Sequence, residues 1–142
     1  MKSNRISWVD YGMSLAKVAA SRSEDPQYQV GSIAMNKSHQ IIAVGYNGLM
    51  AGFVTSEGFW DDRDKIRKYI IHSEQNLVSL FKKGEAETVF CTLCPCNSCM
   101  TMLIGHGIKT IYYAEEYPKS DAHEIAALYG ISLIKSSDRI TL

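Results

Sequence analysis

The chain has 142 residues, 46% of them apolar and 21% charged, which is the composition of one ordinary globular domain and not of a disordered or fibrous chain. Fifteen basic residues balance fifteen acidic ones, a poor match for a protein that grips a long nucleic acid by neutralising its phosphates. No apolar run approaches the roughly 20 residues of a membrane span. Met1-Lys2-Ser3-Asn4-Arg5 leads straight into an amphipathic pattern with no apolar signal core behind it, so a cytoplasmic protein is expected.

Val9, Met13, Ala16 and Ala20 recur at helical spacing and predict an opening helix, broken by Ser21-Arg22-Ser23-Glu24-Asp25-Pro26. Residues 30–35 and 41–44 read as two strands of a hairpin about the turn 36–40. From Gly45 to Ile70 the chain carries four glycines and no clear period, so it reads as one long loop, a feature usually functional in a compact domain. Within it, Phe59 and Trp60 read as cover for the core, and Asp61 to Lys68 is a run of mixed charge that reads as a solvated face, with a phosphate contact as the alternative. A short helix begins near His72 and stops before Gly84. It is followed by a strand over 88–92, a helix over 96–105 and a strand over 109–114, in which Tyr112 and Tyr113 face opposite ways. A helix from Ser120 or Asp121 to Gly130 and a strand over 131–134 close the chain. The order αββαβαβαβ predicts one α/β domain over residues 1–142, with a mixed five-stranded sheet and helices on both faces.

Four cysteines, Cys91, Cys94, Cys96 and Cys99, fall within nine residues. Thiols so close in sequence make poor disulfide frameworks and in a reducing compartment read as metal ligands. Pro95-Cys96-Asn97-Ser98-Cys99 and His72-Ser73-Glu74 together offer an imidazole and two thiolates. Three protein ligands with an open fourth position define a catalytic zinc site. Each fragment opens a predicted helix, where the helix dipole favours thiolate. Glu74 is the expected base, accepting a proton from water. The pairing of H-x-E with P-C-x-x-C resembles the signature of zinc nucleobase deaminases, which implies that Glu74 delivers that proton to a cytosine ring nitrogen. Cys91 reads as a small core residue and Cys94 as a spectator. His39 reads as an exposed turn residue, and His106 and His123 as helix-end residues with no partner at metal-ligand spacing.

Several further segments join these motifs: Arg22-Ser23-x-Asp25-Pro26, Gln29-Val30-Gly31, Gly45-Tyr46-Asn47-Gly48, His72-Ser73-Glu74-Gln75-Asn76, Gly107-Ile108-Lys109 and Tyr113-x-x-x-Tyr117. On them the chain resembles the cytidine/deoxycytidylate deaminase family, and its dCMP deaminases in particular, over nearly its whole length. The resemblance implies a three-layer αβα cytidine-deaminase-like fold and zinc-dependent hydrolysis of dCMP to dUMP and ammonia, supplying thymidylate synthesis. It also implies a homo-oligomer, commonly a hexamer, activated by dCTP and inhibited by dTTP, usually with Mg2+. By the same similarity Asn47 contacts the deoxyribose, while Tyr117, Arg22 and Ser23 hold the 5′-phosphate. The loop containing Asn47, Gly48, Gly52 and Phe53 looks like the effector region, its exposed backbone N–H groups cradling a triphosphate. Ser73 stands where Ala is commoner. Some phage relatives carry a second, structural zinc with cysteines near the first strand; here no cysteine precedes Cys91, so one catalytic zinc per chain is expected. Two rival readings stay open: a deaminase of another cytosine or adenine substrate, and a non-enzymatic interaction module knotted by all four cysteines.

Overall fold

The computed structural model describes residues 4–138; residues 1–3, which begin the segment read above for a signal core, lie outside them. Helix α1 (Trp8–Ala20) starts where Ser7 Oγ accepts the Asp10 N–H at 3.0 Å, a serine N-cap. Strands β1 (Gly31–Met35) and β2 (Ile41–Tyr46) form the expected hairpin. Asn36 Oδ1 closes its turn by accepting the N–H groups of Ser38 and Gln40. Then come α2 (Arg63–Tyr69), α3 (Ser73–Val78), β3 (Thr88–Leu93), α4 (Asn97–Gly105), β4 (Thr110–Glu115), α5 (Ala122–Tyr129) and β5 (Ser132–Lys135).

The sheet order is β2-β1-β3-β4-β5. β1 runs antiparallel to β2 and β3, whereas β3, β4 and β5 are parallel, so the sheet is mixed as expected. Side chains alternate across it. Ile33, Met35 and Phe90 meet Met13 and Ala16 of α1 on one face. Ala34, Val89, Cys91, Ile111 and Tyr113 meet Leu77, Met100, Leu103 and Ala126 of α3, α4 and α5 on the other. Tyr112 packs with the first group and Tyr113 with the second, the split that a strand requires. Each fully buried Leu or Ile in these layers contributes roughly 1.5–3 kcal/mol. Among the described residues no helix is long and apolar enough to cross a membrane.

Two glycines set how closely the helices approach. A Cβ on Gly31 would lie 1.9 Å from the Ala16 carbonyl oxygen, and one on Gly45 would lie 2.6 Å from that of Ser73. Without side chains there, α1 and the first turn of α3 rest directly on the sheet. Gly45 thereby fixes the depth at which His72 and Glu74 are presented.

The stretch from Gly45 to Ile70 is not one loop. β2 continues through Tyr46, Phe59–Asp61 form a 3₁₀ turn, and α2 follows. Asp62 caps α2 by accepting the Lys65 N–H at 3.2 Å. Ile66 is the buried residue of this helix, and one buried residue in seven leaves no 3.6-residue period to read. The charged run is therefore more than a solvated face, because Arg63 turns inward. Phe59 is buried and packs against the rings of Phe53, Trp60 and Tyr69, covering the core as read.

Candidate active site

α3 and α4 begin beside one another. His72 is the N-cap residue of α3, its N–H donated to Gln75 Oε1 at 2.8 Å. Cys96 is the N-cap residue of α4, and Cys99 lies in its first turn. His72 Nδ1 is 3.5 Å from Cys96 Sγ and 3.4 Å from Cys99 Sγ. Metal bonds of about 2.0–2.3 Å place the corners of a tetrahedron roughly 3.3–3.8 Å apart. The expected ligand triad therefore converges at the spacing, and with the donor chemistry, that zinc takes.

The protons on this set are coupled. Hydrogen bonding, chiefly from the Cys99 thiol and then from His72, overcomes burial and holds Cys96 down at about 3. Cys99 is pushed up by its bond to Cys96 and by burial. His72 is pushed up by Cys96. A dication bound here would take the place of the protons this set shares. Glu74 follows in the first turn of α3 and is buried, and that burial pushes its carboxyl up. A cavity of about 310 Å³ opens here, walled by His72, Glu74, Cys96, Asn47 and Tyr117. Its size suits a small ligand.

Residues 6–115 match the family model described as the cytidine and deoxycytidylate deaminase zinc-binding region. The chain belongs to this deaminase family. A probable deoxycytidylate deaminase of Caenorhabditis elegans is 36% identical over 108 residues, covering 72% of this chain and 55% of that protein. The deoxycytidylate deaminase of Homo sapiens is 32% identical over 133 residues, covering 87% and 74%. The chain thus spans about half the length of the nematode relative. The crystal structure of the apo dCMP deaminase from cyanophage S-TIM5 superposes with a TM-score of 0.75 at 26% identity, covering 95% of this chain and 99% of that one. The same enzyme in complex with dCMP and dUMP gives 0.74 at 27% identity, covering 89% and 94%. The three-layer cytidine-deaminase-like fold follows.

Around the deaminase cavity the expected residues divide. Asn47 and Tyr117 line it. The Asn47 amide braces the wall: Oδ1 accepts the Val30 N–H at 2.9 Å and Nδ2 donates to Tyr28 O at 2.7 Å. Arg22 and Ser23 do not belong to the lining. The turn after α1 sends the Arg22 guanidinium over the Tyr46 ring, 5.9 Å from its centre. Ser23 is buried and accepts the Asp25 N–H at 3.2 Å. The cations on the wall are instead Arg63, Arg67 and Lys119. Arg63 and Arg67 are four apart on α2 and share a face, a signal hidden while that segment read as loop. Arg63 grips the fully buried Asp25 through two bonds of 2.8 and 2.7 Å, beneath the Tyr28 ring. Burial opposes the Asp25 charge, but Arg63 and the N–H groups of Gln27 and Tyr28 outweigh it and hold the carboxyl below its ordinary value.

Ser73 does more than replace an alanine. Its hydroxyl lies 2.7 Å from Ser32 Oγ and donates to Gly45 O at 3.2 Å, fastening α3 to β1 and β2. The expected triphosphate cradle is not formed by Asn47, Gly48 and Phe53. Their N–H groups are given to Val30 O, Ile71 O and Met50 O: Asn47 bonds the segment entering β1, Gly48 bridges to the segment entering His72, and Phe53 bonds within its own turn. Gly52 makes the intervening turn at φ 85°.

Cys91 is a buried core residue on β3, as read; burial first, then Glu74, keeps it a thiol. Among the described residues the four cysteines do not gather into one ligand cluster, which removes the knotted module. His39 is exposed and stacks on Trp8, with ring centres 4.5 Å apart. His106 Nε2 lies 2.8 Å from Phe81 O. Cys94 and His123 need correction: with Glu116 their ligand atoms lie within 4.8 Å of one another. The parallel register pairs Leu93 with Glu115 and so juxtaposes residues that are distant in sequence. Burial and then Glu116, against the Tyr117 N–H, push the Cys94 thiol up to about 12.

Proposed function

We propose that this chain is a zinc-dependent hydrolase converting dCMP to dUMP and ammonia. One observation carries the proposal: a buried carboxyl, Glu74, shares a cavity wall with His72 and Cys96 of a convergent ligand triad. His72, Cys96 and Cys99 would hold the zinc, which when bound supplies Lewis-acid activation of water. Two thiolates cancel the charge of the ion formally, so a protein base has to share the work. Glu74 is that base; burial raises its affinity for a proton, which lets it accept and return one. As the water oxygen adds to C4, Glu74 takes a proton from it and gives that proton to ring N3. It then takes the second proton from the new C4 hydroxyl and passes it to the amine, so that the C=O forms as the C–N bond breaks. One water and one C–NH2 become one C=O and one NH3.

The relatives named deoxycytidylate deaminase and the S-TIM5 enzyme in complex with dCMP and dUMP support this choice of substrate. Arg67 and Lys119 on the cavity wall supply positive charge for a 5′-phosphate, and Tyr117 adds an oriented hydroxyl. Asn47, after bracing Tyr28 and Val30, retains an N–H and a lone pair for the deoxyribose. Arg22 and Ser23 act on the turn that shapes the wall. The family resemblance further supports a role in supplying dUMP for thymidylate synthesis, in a homo-hexamer activated by dCTP and inhibited by dTTP with Mg2+.

Incubation with dCMP, dCTP, deoxycytidine and cytosine, with ammonia release followed, tests the reading. Turnover of dCMP well above the other three is expected. Fast turnover of cytosine with none of dCMP would overturn it.

A further inference from the structure

We propose a second metal site, independent of the dCMP reading, in which Cys94 Sγ, the Glu116 carboxylate and His123 Nε2 bind one zinc-class dication at the ends of β3 and β4. The three ligand atoms lie within 4.8 Å of one another. His123 Nε2 is 3.1 Å from Glu116 Oε2, close to a tetrahedral edge. Three elements bring them together: Cys94 follows β3, Glu116 follows β4, and His123 sits in the first turn of α5. The Cys94 N–H donates to Glu115 O at 2.8 Å, so the thiol and the carboxylate leave adjacent strand ends. The C-terminal edge of parallel strands is where open α/β sheets place their ligands.

The donor set decides the class of ion. One sulfur, one imidazole nitrogen and one carboxylate oxygen suit zinc, whereas magnesium and calcium seek oxygen alone. Cys94 is buried, while the Glu116 and His123 side chains are about half exposed, at 47% and 56%. An ion therefore has a way in from solvent and a fourth position facing water. Closing the Cys94 side to a bonding tetrahedron takes shifts of roughly an ångström, available to the two exposed side chains. The Tyr113 hydroxyl donates to Glu116 Oε1, the kind of outer hydrogen bond that orients a carboxylate ligand, and its contact with His123 Nε2 at 3.2 Å would give way to the ion.

Occupancy would tie the turn at Cys94-Pro95-Cys96 to the turn at Glu116-Tyr117, and both turns reach the cavity wall. The expectation of one ion per chain looked for cysteines before Cys91; the partners of Cys94 come after it and are not cysteines. The test uses the full chain dialysed against buffered Zn2+, with zinc and protein counted by elemental analysis. Two ions per chain are expected, falling to one in His123→Ala. Saturation of the unmutated chain at one ion, or two ions retained in His123→Ala, would overturn the proposal. In the Co2+-loaded protein, thiolate-to-metal absorption should fall by about a third in Cys94→Ser, from three thiolates to two; unchanged absorption would count against Cys94 as a ligand. If Cys94→Ser does not fold, His123→Ala, at a half-exposed position, decides the matter alone.

Discussion

Replacing Arg63 with Met would retain much of the side chain's bulk while leaving Asp25 buried beside no cation. Asp25 is fully buried, and Arg63 supplies two bonds of 2.7 and 2.8 Å. Removing one member of a buried ion pair costs about 3–5 kcal/mol. The N–H groups of Gln27 and Tyr28 remain at 2.9 and 3.1 Å, which places the loss near 3 kcal/mol, the lower end of that range. Total stability is about 5–15 kcal/mol, so the variant folds but weakly. With a urea slope of about 2 kcal/mol per molar, the unfolding midpoint should fall by about 1.5 M. The pH dependence carries a sign. In the unmutated chain the Asp25 carboxyl lies below its ordinary 3.8, so its contribution is complete above that value and is lost as pH falls through the folded value. Without Arg63, burial dominates and raises the carboxyl, so the deficit is largest near neutral pH and shrinks on acidification. Asp25→Asn combined with Arg63→Met should recover much of the loss. A midpoint within about 0.3 M of the unmutated protein, or a deficit that grows on acidification, would refute the reasoning.

Ser73→Ala removes the bonds to Ser32 Oγ and Gly45 O, while the Ser32 hydroxyl keeps its bond to the residue-73 carbonyl at 3.3 Å; it should cost about 1 kcal/mol with zinc content unchanged, as urea unfolding and metal analysis can show. Gly45→Ala places a Cβ against the Ser73 carbonyl; α3 must shift, and zinc retention on dialysis should drop, whereas full retention would show that the helix has room. Arg67→Ala and Lys119→Ala should raise KM for dCMP much more than for deoxycytidine, because only dCMP carries a phosphate. Equal effects on the two substrates would place neither residue at that group.

The sheet and the ligand triad were legible because their signals are local. The β-rich runs of β1, β3 and β4, helix punctuation at Gly130, and two short motifs at helix starts each occupy a few residues, whereas the helix expected to run to Gly84 ends at Val78. What was hidden depends on contacts between distant segments. α2 has one buried apolar residue, so its wall cations Arg63 and Arg67 read as part of a solvated run. The Ser73–Ser32 bond, the Gly48–Ile71 bridge and the Cys94–Glu116–His123 group all require the strand register, which no single segment encodes. Arg22 stands outside the cavity lining for the same reason: its motif fixes a turn, and the side chain lies over the Tyr46 ring.

The most direct test of the mechanism is ammonia release from dCMP by Glu74→Gln protein of verified zinc content. Zinc and fold should match the unmutated chain, while turnover falls by about a hundredfold to ten-thousandfold, the range lost with a general acid–base group. A zinc-loaded Glu74→Gln protein that keeps more than a few percent of the unmutated rate would contradict the assignment of proton transfer to this carboxylate.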